Sequence, residues 1–259
     1  MPIDLNTLKQ IIHEAGRIIR EVSISREQIS SKEGHRNFVT SYDIEVQDFL
    51  ESRFRKLWPD YHFVAEEQDT HKLKQQSFIV DPIDGTSNFI FGIPFYCISV
   101  AVTEKGKVVQ GTVYNPVIDE MFWAEEGKGA YLNDKPIKNP DLPMDETVFG
   151  VGSSPYNDAG REPTLNLIRD IWDKSDFRRL GSAALDLCYV ASGRQGGYFE
   201  LDIAPWDIAA GMLIAREAGA TVTTLEGKEP PLDRSMTILA AGPKVYAEMQ
   251  KLLGFKSNF

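Results

Sequence analysis

The stretch Ile79-Val80-Asp81-Pro82-Ile83-Asp84-Gly85-Thr86-Ser87-Asn88-Phe89 constrains this chain more than any other segment. Ser77 to Asp81 has the apolar run of a short buried strand. Such a strand delivers Asp81 at its C-terminal edge, where open α/β sheets place their chemistry. Pro82 fixes its own φ and biases Asp81 towards extended conformations, which limits where the carboxylates of Asp81 and Asp84 can point. Gly85 lets another group approach the backbone closely, and a helical turn is expected to start at Thr86 or Ser87. Asp-Gly and Pro are, on their own, ordinary turn residues. Two acids three residues apart, a hydroxyl at Thr86 and a fresh helix start say more. Carboxylate oxygens suit hard cations, and helix-start N–H groups suit anions. A cation beside an anion points to a phosphate.

The 259 residues suffice for one large or two modest domains with a sizeable core. With a net charge of −10, the chain lacks the broad basic footprint that nucleic acid or an anionic lipid surface requires. An anionic substrate must therefore be met by bound cations or local N–H groups. Cys97 and Cys188 are too few and too far apart for a disulfide framework or a metal knuckle, and read as buried apolar thiols. The start Met1-Pro2-Ile3-Asp4 lacks a basic n-region and an apolar h-region, and no run of 18 apolar residues occurs. The expectation is a soluble cytoplasmic protein that binds neither nucleic acid nor membrane. His13, His35, His62 and His71 show no metal-ligand spacing and receive no role.

Apolar residues at helical spacing from Leu5 to Val22 predict an amphipathic helix over residues 4 to 23. Ser23 to Asn37 reads as a loop or irregular strand containing Lys32. Thr40 with Asp43 resembles a capping box opening a second helix. His62 to Ala65 reads as a strand ending in Glu66 and Glu67. These acids are expected to be solvated unless that strand lies beside Ser77 to Asp81, where strand ends about 5 Å apart share a cation. Phe95 to Lys138 has the pattern of an antiparallel meander, and Asn139 to Pro143 the composition of a linker. This places an N-terminal α+β subdomain at 1–139 and a C-terminal α/β subdomain at 140–259. In the second, Ser182 is a good N-cap for a helix from Ala183 to Ala191, Tyr198 to Leu201 reads as a strand, and Asp207 opens a helix ending near Gly219. Glu66, Asp81, Asp84 and Asp207 thus all stand at element ends. Carboxylates converge only where cations offset their repulsion, and an oxygen-rich site of this kind suits Mg²⁺.

Asp81-Pro82-Ile83-Asp84-Gly85-Thr86-Ser87-Asn88-Phe89 and Trp206-Asp207-Ile208-Ala209-Ala210-Gly211, with Glu66-Glu67 upstream, resemble the signature segments of the inositol monophosphatase family of Mg²⁺-dependent, lithium-sensitive phosphatases. The resemblance spans nearly the whole chain and implies a layered α-β-α-β-α sandwich, with the site between two subdomains, and a homodimer. It implies that Glu66, Asp81 and the carbonyl of Ile83 hold one Mg²⁺, that Asp81, Asp84 and Asp207 hold a second, and that Glu66 touches a third. Thr86 and Asp43 would orient a metal-bound water for in-line attack on phosphorus, so that no covalent nucleophile is needed. Gly85 and Thr86 N–H groups would bind the phosphate. Gly181, Ser182 and Ala183 match a polyol-binding helix start, and Glu200 an acid that receives substrate hydroxyls, against its reading as a solvated strand-edge residue. Lys32 aligns with a lysine some members place near the metals. Two residues depart from the family pattern: Gly196 stands where many members have an acid, and Phe91 where a basic or polar residue is common.

The reading that follows is a phosphomonoesterase for a small polyol or sugar phosphate, most simply inositol 1-phosphate. Fructose 1,6-bisphosphate, the 2′-phosphate of NADP, adenosine 3′,5′-bisphosphate and histidinol phosphate are alternatives within the same chemistry. A non-catalytic phospholigand-binding module and a metal-free carboxylate-pair glycosidase are alternatives outside it. Arg178, Arg179 and Arg194 read either as a second phosphate site or, preferably, as partners of surface acids.

Overall fold

The computed structural model describes residues 2–20, 22, 29–31, 38–68, 70–153 and 158–254. The chain opens with helix α1 (Leu5–Ile19), capped by Asp4, and a short antiparallel pair of strands, β1 (Ile29–Ser31) and β2 (Phe38–Thr40). Helix α2 (Ser41–Leu57) follows, then β3 (His62–Ala65), β4 (Gln76–Asp84) and the single-turn helix α3 (Thr86–Ile90). Next come β5 (Cys97–Glu104), β6 (Lys107–Asn115), β7 (Glu120–Glu125), β8 (Ala130–Leu132) and β9 (Lys135–Ile137). The remainder is β10 (Val148–Val151), α4 (Asp158–Ile171), β11 (Asp176–Arg178), α5 (Ala183–Ala191), β12 (Gly197–Ile203), α6 (Pro205–Glu217), β13 (Thr221–Thr223), β14 (Met236–Ala241) and α7 (Pro243–Leu252).

Strands β3 to β9 form one seven-stranded sheet in chain order, antiparallel except for the parallel β3–β4 pair. The second sheet has five strands in the order β11-β10-β12-β14-β13 and is mixed: β10 runs parallel to β11 and β12, while β14 is antiparallel to β12 and β13. The first sheet ends at Ile137 and the second begins at Val148. Asn139 there is buried, and its amide donates to Val190 O at 2.7 Å, so this stretch is tied into the fold.

Alternation along each strand assigns its faces. Phe78 and Val80 of β4 join α1 and α2 in one core through Leu8, Ile12, Val46, Leu50 and Phe54. Ile79 points the other way, into a second core built by α5 and α6 with the inner face of the five-stranded sheet. Phe149, Phe199 and Leu239 belong to a third core with Ile171 of α4 and Val245 and Met249 of α7. The result is the expected α-β-α-β-α sandwich, with α5 and α6 as the shared middle layer. Gly111 of β6 sets how closely α6 lies on the first sheet, since a Cβ there would sit 2.6 Å from Ala210 O.

Some expectations shift. Helix α1 ends at Ile19 rather than near residue 23, and Lys32 lies outside the described residues. Strand β4 does not stop at Asp81 but runs through Pro82 to Asp84. Gly196 is packed so that a Cβ would overlap the Thr147 side chain, which leaves no room for an acid at that place. Phe91 is 72 % exposed on the surface after α3.

Candidate active site

The extension of β4 is what brings its two acids together. Asp81 pairs with Ser99 and Asp84 with Cys97, so three steps along β4 match two along β5. In a regular strand, residues i and i+3 point to opposite faces; the extra residue of this bulge puts both carboxylates on one side. Pro82, which cannot donate to a ladder, lies within the irregularity. Asp81 accepts the Ile83 N–H at 2.9 Å, and the Thr86 hydroxyl donates to Ile83 O at 3.0 Å. Gly85 then turns the chain with φ +95°, where its missing side chain admits Gly181 O and Phe95 O. Asn88 donates to Phe95 O at 2.7 Å and to Leu180 O at 2.8 Å, tying α3 to the approach of α5.

Three other segments converge on this edge. β3 pairs in parallel with β4 through Ala65 and Val80, which meets the condition set for Glu66, and the Glu66 N–H bonds Val80 O at 3.1 Å. Asp207 does not open α6 but lies inside its first turn, accepting the Ala204 N–H at 3.0 Å, with Pro205 as the first helical residue. Asp43 closes the expected capping box, taking the Thr40 N–H at 2.7 Å and the Thr40 hydroxyl at 2.6 Å on Oδ2. Its Oδ1 lies 3.4 Å from the Thr86 hydroxyl.

One carboxylate oxygen each of Asp81, Asp84 and Asp207 lies within 4.8 Å of the others. Burial, then the charges of Glu66, Asp84 and Asp207, pushes the Asp81 carboxyl well above its ordinary range. Burial, then Asp84 and Glu66, does the same to Asp207. Asp84 is raised by burial to about 6, against hydrogen bonds from Ser182 and Ala184 that pull it down. Acids forced together in this way take up either protons or cations. The donor set is all oxygen, which fits a hard divalent cation.

A cavity of about 470 Å³ opens from this cluster. Glu66, Ile83, Gly85 and Thr86 line it beside the acids; Gly181, Ser182, Ala183, Asp186, Tyr198 and Glu200 line it further along. Ser182 caps α5 as expected and also donates to Asp84 Oδ2 at 2.7 Å, and the Ala184 N–H reaches the same oxygen at 2.7 Å. The start of α5 thus grips one acid of the cluster as well as facing the cavity. Glu200 is not a solvated edge residue. Its strand β12 is central in its sheet, and burial raises the carboxyl to about 7 against the Tyr198 hydrogen bond that lowers it.

Some neighbours of the site were not legible in the sequence. Cys97 is buried but not in purely apolar company, with Sγ 3.6 Å from Ser182 Oγ and 3.9 Å from Asp84 Oδ2. The His71 ring lies 4.3 Å from that of Trp206, and its Nε2 is 3.2 Å from Glu66 O. Arg194 pairs with Glu120 and Arg178 with Asp176, as preferred, whereas Arg179 lines the cavity and bonds Ser153 Oγ and O. The pairing of Tyr198 with Glu200 was missed as well, although their i, i+2 spacing on one strand puts them on one face.

A five-layer sandwich with an oxygen-only cradle at the head of a polar cavity supports a phosphatase of the inositol monophosphatase superfamily. A profile described as the inositol monophosphatase family matches residues 4–254, and the chain belongs to that family. It is 37 % identical over 245 residues to an inositol-1-monophosphatase of Mesorhizobium japonicum, covering 90 % of each chain. It is also 37 % identical over 249 residues to Nus factor SuhB of Vibrio cholerae, covering 93 % of this chain and 91 % of that one. Among solved structures, extragenic suppressor protein suhB from Bartonella henselae superposes with a TM-score of 0.89 at 33 % identity, over 98 % of this chain and 99 % of that one. An IMPase/NADP phosphatase complexed with Mg²⁺ and phosphate superposes with a TM-score of 0.82 at 26 % identity, over 97 % and 94 %.

Proposed function

We propose that this protein is a Mg²⁺-dependent phosphomonoesterase that releases phosphate from a small polyol or sugar phosphate, with inositol 1-phosphate the foremost substrate. The observation that carries this reading is the convergence of Asp81, Asp84 and Asp207 within 4.8 Å beside a cavity. Glu66, Asp81 and the Ile83 carbonyl would hold one ion and Asp81, Asp84 and Asp207 another, with Glu66 reaching a third. Mg²⁺ there would supply charge neutralisation for the phosphate and leaving oxygen and would acidify water. The chain's own contribution is positioning. Thr40 fixes the Asp43 carboxylate through two hydrogen bonds, turning Oδ1 towards Thr86. That pair would orient a water for in-line attack, with the Asp43 carboxylate placed to take the one proton the water loses, relayed through the Thr86 hydroxyl. Gly85 and Thr86 face the phosphate, while Gly181, Ser182, Ala183 and Glu200 face the polyol. No helix among the described residues is long and apolar enough to cross a membrane. We place the protein in the cytoplasm as a homodimer of chains with subdomains 1–139 and 140–259, which sedimentation tests.

The equal identity to a relative named Nus factor SuhB favours a second reading, in which the fold serves a role other than hydrolysis. The paired Asp43 and Thr86 speak for turnover, since binding alone needs no water-positioning pair. The NADP phosphatase neighbour favours the same chemistry on a nucleotide 2′-phosphate, and fructose 1,6-bisphosphate belongs in the same comparison. Phosphate release from a panel of inositol, sugar and nucleotide phosphates, with and without Mg²⁺ and Li⁺, tests all of these. Mg²⁺-dependent release that Asp84→Asn abolishes supports the hydrolase; ligand binding without release by the wild type refutes it.

A further inference from the structure

We infer that Tyr198 is a positioning residue for Glu200, and that Gly152 keeps open the space in which the pair lies, so that a fixed carboxylate selects phosphate esters bearing a free hydroxyl. The inference rests on the reading of Glu200 as the polyol-binding acid and deepens it by naming what holds that acid.

Tyr198 and Glu200 are two residues apart on β12 and share a face. The Tyr198 hydroxyl donates to Glu200 Oε2 at 2.6 Å, with both side chains buried. β10 runs parallel beside them, with Gly150 opposite Tyr198 and Val151 opposite Phe199. The Gly152 N–H continues this ladder by bonding Phe199 O at 2.8 Å, which sets Gly152 across from Glu200. A Cβ on Gly152 would overlap both Glu200 Oε2 and Tyr198 Oη. The pair therefore occupies the volume that any other residue at 152 would fill. Gly152, Tyr198 and Glu200 all line the cavity. With Oε2 held by the phenol, the remaining oxygen has a defined direction. Unpinned, the terminal torsion of a glutamate is broad, and holding it on binding costs entropy. The charged groups around Glu200 are Asp84 across the cavity, Asp186 on α5, Asp202 on its own strand and Arg179 before α5. The donor seated on the Glu200 carboxylate is the Tyr198 phenol, and this contact is what orients it.

The test compares inositol 1-phosphate with p-nitrophenyl phosphate, which has no free hydroxyl, on Tyr198→Phe, Gly152→Ala, Glu200→Ala and the Tyr198→Phe/Glu200→Ala double variant. Losing one such hydrogen bond is expected to raise KM for inositol 1-phosphate about tenfold, with kcat and the KM for the aryl ester changing less than about twofold. Gly152→Ala removes no polar group and gives the same signature by displacing the carboxylate. In the Glu200→Ala background, which has no acceptor for the phenol, the Tyr198→Phe effect vanishes. Carboxyl ¹³C NMR of Glu200 shows its titration moving upward in Tyr198→Phe, whether or not the enzyme turns over. Equal KM rises for both esters, a Tyr198→Phe penalty that survives Glu200→Ala, or an unmoved Glu200 titration would overturn the inference. Absence of phosphate release from every ester would count against the hydrolase instead, and the NMR titration would still decide the role of Tyr198.

Discussion

Stripped of divalent cations, the protein is expected to lose stability as the pH rises from about 4 to about 7, opposite to the usual behaviour of carboxylates in ion pairs. A carboxyl whose folded-state pKa is raised binds its proton more tightly folded than unfolded, so its contribution is complete below the unfolded pKa and lost as pH climbs through the folded one. Asp84 rises from 3.8 to about 6, a difference worth ~3 kcal/mol by linkage. Glu200 rises from 4.5 to about 7, which adds a loss of the same order. Asp81 and Asp207 are displaced in the same direction. Against a total stability of about 5–15 kcal/mol, this is a large fraction. The assay is urea unfolding in EDTA at intervals from pH 4 to 8, repeated in Mg²⁺. In Mg²⁺ the part due to Asp81, Asp84 and Asp207 should disappear, because the cation takes the place of the protons, while the Glu200 part remains. Asp81→Asn, which removes one charge from the cluster, should flatten the metal-free curve. Stability that is level or rises across this window in EDTA, or a slope that Mg²⁺ leaves unchanged, would refute the reasoning.

Thr86→Ala should lower kcat about 10²-fold or more, as loss of a proton-handling group does, with Mg²⁺ affinity measured by calorimetry nearly unchanged. Gly85→Ala forces a side chain into a left-handed turn against Gly181 O and Phe95 O; it should destabilise by about 1–3 kcal/mol in denaturant titrations and reduce phosphate release. Leu8→Ala, a fully buried change in the core of α1, should cost about 2–5 kcal/mol while leaving kcat/KM of the folded enzyme intact.

What was legible in the sequence followed from local rules. Apolar spacing marked α1 and α2, the Thr40–Asp43 pair marked a cap, and Ser182 marked the start of α5, because each depends on residues within one or two turns. The Asp81 and Asp84 cluster was legible as chemistry but not as geometry. The bulge that aligns the two carboxylates is set by pairing with Ser99 and Cys97 on β5, a long-range register. For the same reason Glu66 could be read only conditionally, its place depending on the parallel pairing of β3 with β4. Glu200 was read as equally able to be solvated, since nothing in Tyr198 to Leu201 says that β12 is central rather than an edge. Cys97, Asp186, His71 and Arg179 reach the site through tertiary packing alone, and no spacing announces them.

The most direct measurement is the anomalous scattering of Mn²⁺ in crystals of the protein. The account predicts a peak bonded by Asp81, Asp84 and Asp207 at about 2 Å distances, as hard octahedral cations require, and its loss in Asp84→Asn. Mn²⁺ bound elsewhere, with these three carboxylates left protonated and bonded to one another, would contradict it.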